Sequence, residues 1–102
     1  MPKSGISEFG EFHGLHVAAP QPGFRRIRWL PAVPRSDRVR VVQHTCDCRD
    51  VVYELCAAGG LLFIRRMTYA ADGTVRELIE TDRFVAARTT RLWAGLLAGT
   101  DR

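Results

Sequence analysis

The feature that most constrains the fold is a pair of tight-turn signals between segments of β-type sequence. Gly59-Gly60 separates residues 51–56 from residues 61–69, and glycine accepts the positive φ angles that both central positions of a type I′ hairpin need. Asp72-Gly73 is a second turn signal and precedes residues 74–80. The two turns therefore predict antiparallel strands that follow one another in a meander.

The first turn also predicts how the strands on either side are aligned. A two-residue loop at Gly59-Gly60 places Ala58 opposite Leu61 and, further along, Leu55 opposite Ile64. The same alignment sets Tyr53 opposite Arg66 and Glu54 opposite Arg65. Because side chains alternate along a strand, one face collects apolar groups and is predicted to face the core. Those groups belong to Val51, Tyr53, Leu55, Leu62 and Ile64.

The segments on both sides of this hairpin complete the predicted fold. Residues 38–46 are rich in β-branched side chains and nearly alternate, which predicts a fourth strand. After residue 80 the apolar spacing becomes helical; it runs through Val85, Ala86, Thr89, Leu92, Trp93, Leu96 and Leu97. Thr81 or Asp82 is the expected cap, and Gly99 the expected end. The fold class is α+β: a four-stranded antiparallel meander packed by one C-terminal amphipathic helix.

The first quarter of the chain has a different character. Residues 1–23 contain four glycines and three prolines, spaced so that no ordinary helix or strand fits between them. We expect an irregular N-terminal arm here and a single α+β domain over residues 24–102. Residues 24–30 suit a short strand, after which Pro31 and Pro34 should exclude regular pairing through residues 31–34.

Length and composition limit the class of protein. A chain of 102 residues supports one modest core. Its longest uncharged apolar stretch, Leu55–Ile64, has ten residues, about half of what a membrane-spanning helix needs. The first residues do not resemble a secretory signal, and three cysteines are an odd number for a disulfide framework. The sequence predicts a cytoplasmic protein with reduced thiols and no membrane partner.

The second face of the predicted sheet remains half apolar. It carries Val52, Cys56, Phe63 and Met67 beside charged side chains, and the single helix is already used on the other face. We expect the N-terminal arm or a second copy of the chain to cover it, and a twofold homodimer is preferred.

Cysteine and histidine side chains form one candidate site. His44, Cys46 and Cys48 lie two residues apart and would share one face of a strand, and Cys56 follows on the next strand. These four donors suit zinc, although two sulfurs on one tetrahedral ion need a local turn that a one-residue spacing does not provide on a strand. Buried structural thiols are the preferred interpretation, with no cofactor. His13 and His16 are further donors in the N-terminal arm.

Arginines form the second candidate site. Residues 24–40 hold six arginines and one aspartate, whereas the whole chain has a net charge of only +4. Guanidinium groups interleaved with aromatic rings are typical of phosphate contacts and base stacking, although an arginine-rich edge strand has the same composition. The residues proposed to hold an acidic partner are Arg25, Arg26, Arg28, Trp29, Arg35, Arg38 and Arg40.

These observations favour binding over catalysis. The chain contains no glycine-rich phosphate loop, nucleophile elbow or metalloprotease helix motif. We predict a small non-enzymatic binding or regulatory protein whose acidic partner is nucleic acid, such as DNA, or a protein. The alternative is a small zinc-binding or thiol-containing protein built on His44, Cys46, Cys48 and Cys56.

Overall fold

A computed structural model describes residues 14–32 and 38–102 of the chain. Within these residues the sheet has five strands and is followed by one helix. They are β1 (Leu30–Pro31), β2 (Arg40–His44), β3 (Val51–Ala58), β4 (Leu61–Tyr69), β5 (Val75–Glu80) and α1 (Ala86–Ala98). The strands are antiparallel in the order β1-β5-β4-β3-β2. The predicted α+β class is confirmed, but the prediction of four strands is wrong by one.

The β3–β4 hairpin has the predicted alignment. Ala58 lies opposite Leu61, Leu55 opposite Ile64 and Glu54 opposite Arg65. Gly59 and Gly60 adopt φ angles of 59° and 78°, the left-handed conformation in which a side chain would be strained. The observed register of β3 and β4 is therefore the one that a two-residue glycine loop predicts.

The additional strand is β1, which begins at the last residue of the expected short strand and extends into Pro31, where pairing was expected to be excluded. Leu30 and Pro31 pair with Glu80 and Ile79 of β5. Proline has no N–H to donate, but an edge strand needs hydrogen bonds on one side only. Pro31 thus keeps β1 short without preventing it, and the expected strand over residues 24–30 is reduced to this two-residue piece.

The predicted core face is packed by the helix. Tyr53, Leu55 and Ile64 of the sheet form one buried cluster with Trp93 and Leu96 of α1. Partly buried side chains surround it; they are Val17, Ile27, Trp29, Val51, Leu62, Leu92 and Leu97. Burial of this apolar surface is the main force that holds α1 against the sheet.

The opposite face is better covered than the sequence predicts. Val52, Cys56 and Phe63 are all buried within the single chain. Cys56 and Phe63 form a second cluster against which Val39 packs, and the Arg65 guanidinium lies 5.8 Å from the centre of the Phe63 ring. Val39 is a cover that the sequence analysis did not include, and these three buried side chains give no reason of their own for a homodimer.

The helix begins later than predicted. Its N-cap is Val85, which makes no side-chain capping bond, so the prediction that Thr81 or Asp82 caps it is wrong. The hydroxyl of Thr81 is used by the sheet, because it accepts a hydrogen bond from the Ile64 N–H at 3.1 Å. The predicted end is correct: Gly99 is the C-cap, with a φ of 83°.

The segment before β1 is tied to the end of the helix. Residues 14–23 form no regular strand or helix, and the N–H groups of Ala18 and Gln21 donate to the carbonyls of Leu97 and Gly99. Residues 1–13 of the predicted arm lie outside the described residues. In the described part of the chain no helix is long and apolar enough to cross a membrane.

Candidate functional site

The sheet order separates the predicted arginine set into two groups. Arg25, Arg26 and Arg28 precede β1, which is one edge strand of the sheet. Arg38 lies just before β2, the other edge strand, and Arg40 is the first residue of β2. Four strand spacings lie between these edges, which corresponds to about 19 Å. Arg35 lies outside the described residues. The structure therefore does not gather these side chains on one surface.

The aromatic rings proposed for base stacking are already in contact with the chain. The Arg66 guanidinium lies 5.1 Å from the centre of the Trp29 ring, and the Tyr53 ring centre is 6.1 Å from that of Trp29. The indole N–H of Trp29 donates to the Arg102 carbonyl at 3.4 Å. Trp29 thus contacts Arg66, Tyr53 and the Arg102 carbonyl within the chain, and it is partly buried.

A groove brings the first arginine group together with the helix. Its lining includes residues 25–28 and residues of α1, and its volume is about 630 Å³. Five of its lining side chains are arginines, namely Arg25, Arg26, Arg28, Arg88 and Arg91. The remaining lining residues are Ile27, Thr81, Asp82, Phe84, Leu92 and Asp101. We call this feature the arginine groove.

One arginine of the groove is neutralised by a buried carboxylate. Arg25 donates from Nε to Oδ1 of Asp101 at 2.9 Å and from Nη2 to Oδ2 at 3.1 Å. The hydrogen bond and the charge of Asp101 raise the pKa of Arg25 further. Asp101 occupies space that exists only because residue 95 is glycine, since a Cβ at Gly95 would overlap the Asp101 carboxylate.

The other arginines are less constrained. Arg28 lies 3.7 Å from Asp82 with both side chains largely exposed, and such a pair contributes little. The Arg88 guanidinium lies 3.9 Å from the centre of the Phe84 ring. Among the described residues no carboxylate forms an ion pair with Arg26, Arg88 or Arg91. The groove thus presents three guanidinium groups whose charge is not matched within the described chain.

The predicted cysteine and histidine set is also divided. His44 is exposed at the end of β2, with Nδ1 3.0 Å from the Thr45 carbonyl oxygen. Cys56 belongs to the second buried cluster, and burial raises its pKa to about 11. Within the described residues, the cluster of close donor atoms contains His16 with Cys46 and Cys48, not His44 or Cys56.

The His16 cluster depends on a contact between distant segments. The Cys46 N–H donates to the Leu15 carbonyl at 2.7 Å, which brings His16 beside the β2–β3 connection. His16 Nε2 and Cys48 Sγ are 3.2 Å apart. A hydrogen bond with Cys46 is the largest of the effects that raise the pKa of Cys48, while the adjacent Arg49 lowers it.

Arg88 and Arg91 were missed by sequence reasoning. They carried a signal, because the helical period places them off the apolar stripe of α1. His16 was named as a further donor, but its place beside Cys46 and Cys48 instead of His44 was not predicted. Protein-family models, curated proteins and solved structures were all compared with this chain, and none of them matches it.

Proposed function

We propose that this is a non-enzymatic binding protein that holds an acidic segment of a partner protein in the arginine groove. The observation that carries the proposal is that two distant chain regions place five arginines around one groove of about 630 Å³. That volume lies in the range of about 300–1,000 Å³ typical of ligand sites. Guanidinium groups offer planar pairs of donors, which match carboxylates in a bidentate arrangement.

The local surroundings favour a carboxylate-bearing peptide over nucleic acid. Trp29 contacts Arg66 and Tyr53 within the chain, which leaves less of its ring for the base stacking that single-stranded nucleic acid uses. Asp82 also lines the groove, and its exposed carboxylate would repel a continuous phosphate backbone. A peptide with spaced carboxylates can reach the arginines while avoiding Asp82.

The test measures fluorescence anisotropy of three labelled probes at low ionic strength. They are an Asp/Glu-rich peptide, a neutral peptide of the same length, and a single-stranded oligonucleotide. The acidic peptide should bind, the neutral one should not, and affinity should fall as salt screens the charges. The double variant Arg88→Ala, Arg91→Ala should weaken binding by about tenfold or more.

A matched control removes the same charge at the other edge of the sheet. The double variant Arg38→Ala, Arg40→Ala should change affinity by less than about twofold, because exposed charges at that distance are screened. Equal weakening of peptide binding by the two double variants would show that affinity depends only on the net charge of the chain, and would overturn the proposal. Tighter binding of the oligonucleotide would assign nucleic acid as the ligand instead, and no binding of any probe would remove the function altogether.

A further inference from the structure

We propose that His16, Cys46 and Cys48 bind a zinc ion through one imidazole nitrogen and two thiolate sulfurs. Their donor atoms all lie within 4.8 Å of one another. Around a tetrahedral zinc ion, donor atoms are about 3.5–3.8 Å apart, given Zn–N and Zn–S bonds of about 2.0–2.3 Å. His16 Nε2 and Cys48 Sγ are 3.2 Å apart and no pair in the cluster exceeds 4.8 Å, so the observed separations are close to that spacing. This site is separate from the arginine groove and does not depend on its function.

The backbone holds the three donors in place. β2 ends at His44, and a turn follows at residues 47–48, so Cys46 precedes the turn, Cys48 lies within it, and the two cysteines do not lie on one extended strand. This supplies the local turn that the one-residue spacing lacks on a strand. The Leu15–Thr45 bridge and the bond from the Cys46 N–H to the Leu15 carbonyl then fix the segment that carries His16.

The donor set selects the class of metal. Two thiolates and an imidazole are soft or borderline ligands, which suit zinc and exclude the oxygen-preferring ions magnesium and calcium. Three protein ligands leave the fourth tetrahedral position to water. The ion would join the segment around His16 to the β2–β3 connection, so metal binding should add to the stability of that contact.

The experiment uses the full chain, freed of metal and kept reduced with a phosphine. Zinc is titrated against a chromophoric chelator, and Co²⁺ is added to a second sample. We expect about one zinc per chain. Co²⁺ should give a sulfur-to-metal charge-transfer band together with the visible bands of tetrahedral coordination. His16→Ala and Cys48→Ser change exposed side chains, so both should fold and bind zinc at least about tenfold more weakly.

The matched control is His44→Ala, which removes an exposed imidazole two residues before Cys46. Its zinc affinity should equal that of the unaltered chain, and circular dichroism checks that each variant is folded. Failure of the unaltered chain to compete with the chelator would overturn the proposal. So would an octahedral cobalt spectrum, or equal weakening by His16→Ala and His44→Ala. A loss confined to His16→Ala and Cys48→Ser supports it.

Discussion

The chain leaves the sheet at two buried threonines that use the same hydrogen bonds. After β2, the Thr45 N–H donates to the Tyr53 carbonyl and its hydroxyl accepts from the Tyr53 N–H, both at 2.9 Å. After β5, Thr81 repeats this arrangement with Ile64, at 2.9 Å from N–H to carbonyl and 3.1 Å from N–H to hydroxyl. We call these positions the Thr45 exit and the Thr81 exit.

The two exits lead into segments with different side chains. The Thr45 exit continues into Cys46 and Cys48, whereas the Thr81 exit continues into Asp82 and Phe84, which line the arginine groove. The Thr81 hydroxyl also donates to the Asp82 carbonyl at 2.8 Å. A threonine hydroxyl satisfies the partner strand's buried N–H, so the next residues can turn away from the sheet. One local device therefore supports two sites with different chemistry.

The largest effect should come from Thr81→Val. The substitution keeps the shape but removes both the acceptor for Ile64 and the donor to Asp82, so the free energy of unfolding should fall by about 2–3 kcal/mol. Urea denaturation measures it. Thr90→Val, at an exposed position of α1, is the matched control and should cost less than about 0.5 kcal/mol. Similar losses for both variants would show that the exit has no special role.

A smaller effect is expected from Thr45→Val. Among the described residues, the Thr45 hydroxyl has one hydrogen bond, which it accepts from the Tyr53 N–H. The free energy of unfolding should therefore fall by about 1–2 kcal/mol. Amide exchange at Tyr53 should accelerate, while exchange at Ile64 should not change. A cost that exceeds that of Thr81→Val would reverse the ranking of the two exits.

The smallest effect on the free energy of unfolding should come from ionisation of Cys56 at alkaline pH. Cys56 lies in β3, the same strand as Tyr53, which pairs with Thr45. Burial raises the pKa of this thiol from 9.0 to about 11, so the unfolded chain ionises before the folded one. The contribution of the neutral Cys56 thiol to the free energy of unfolding is therefore fully present below pH 9 and is lost as the pH rises through 11. At pH 10 the free energy of unfolding should be lower by about 1 kcal/mol.

The measurement is urea denaturation at pH 8 and pH 10 with Cys56→Ala as control. The part of this decrease that Cys56 causes should be absent in Cys56→Ala. Between pH 8 and pH 10, the free energy of unfolding of Thr81→Val and Thr45→Val should fall by as much as that of the unaltered chain, because the effects of separate sites are additive. An unchanged pH dependence in Cys56→Ala would contradict the assignment. A different loss in one threonine variant would show that its exit is coupled to this strand.

The parts of the fold that depend on neighbouring residues could be predicted. The glycine loop fixed the β3–β4 register, and Gly99 ended the helix as expected. Thr81 was misassigned because its hydroxyl satisfies Ile64, a contact between strands that no helix-capping rule includes. The short strand expected over residues 24–30 was placed too early, because Pro31 is tolerated only at an edge and edge position is a property of the whole sheet.

The sites were harder to predict than the fold, because both depend on strand order. A run of arginines close in sequence is divided between opposite edges once β1 pairs with β5 and β2 with β3. Arg88 and Arg91 join the groove from a helix some sixty residues later in the sequence. His16 meets Cys48 through the Leu15–Thr45 bridge, which no local pattern indicates.

Gly95 of α1 affects the charge of the arginine groove, although Gly95 does not line the groove. Alanine would favour the helix itself by about 1 kcal/mol, yet its methyl group would occupy the space of the Asp101 carboxylate. Displacing that carboxylate would leave the Arg25 cation without its counter-ion. A substitution at a site that does not line the groove would thus make it more cationic and strengthen its attraction for anions.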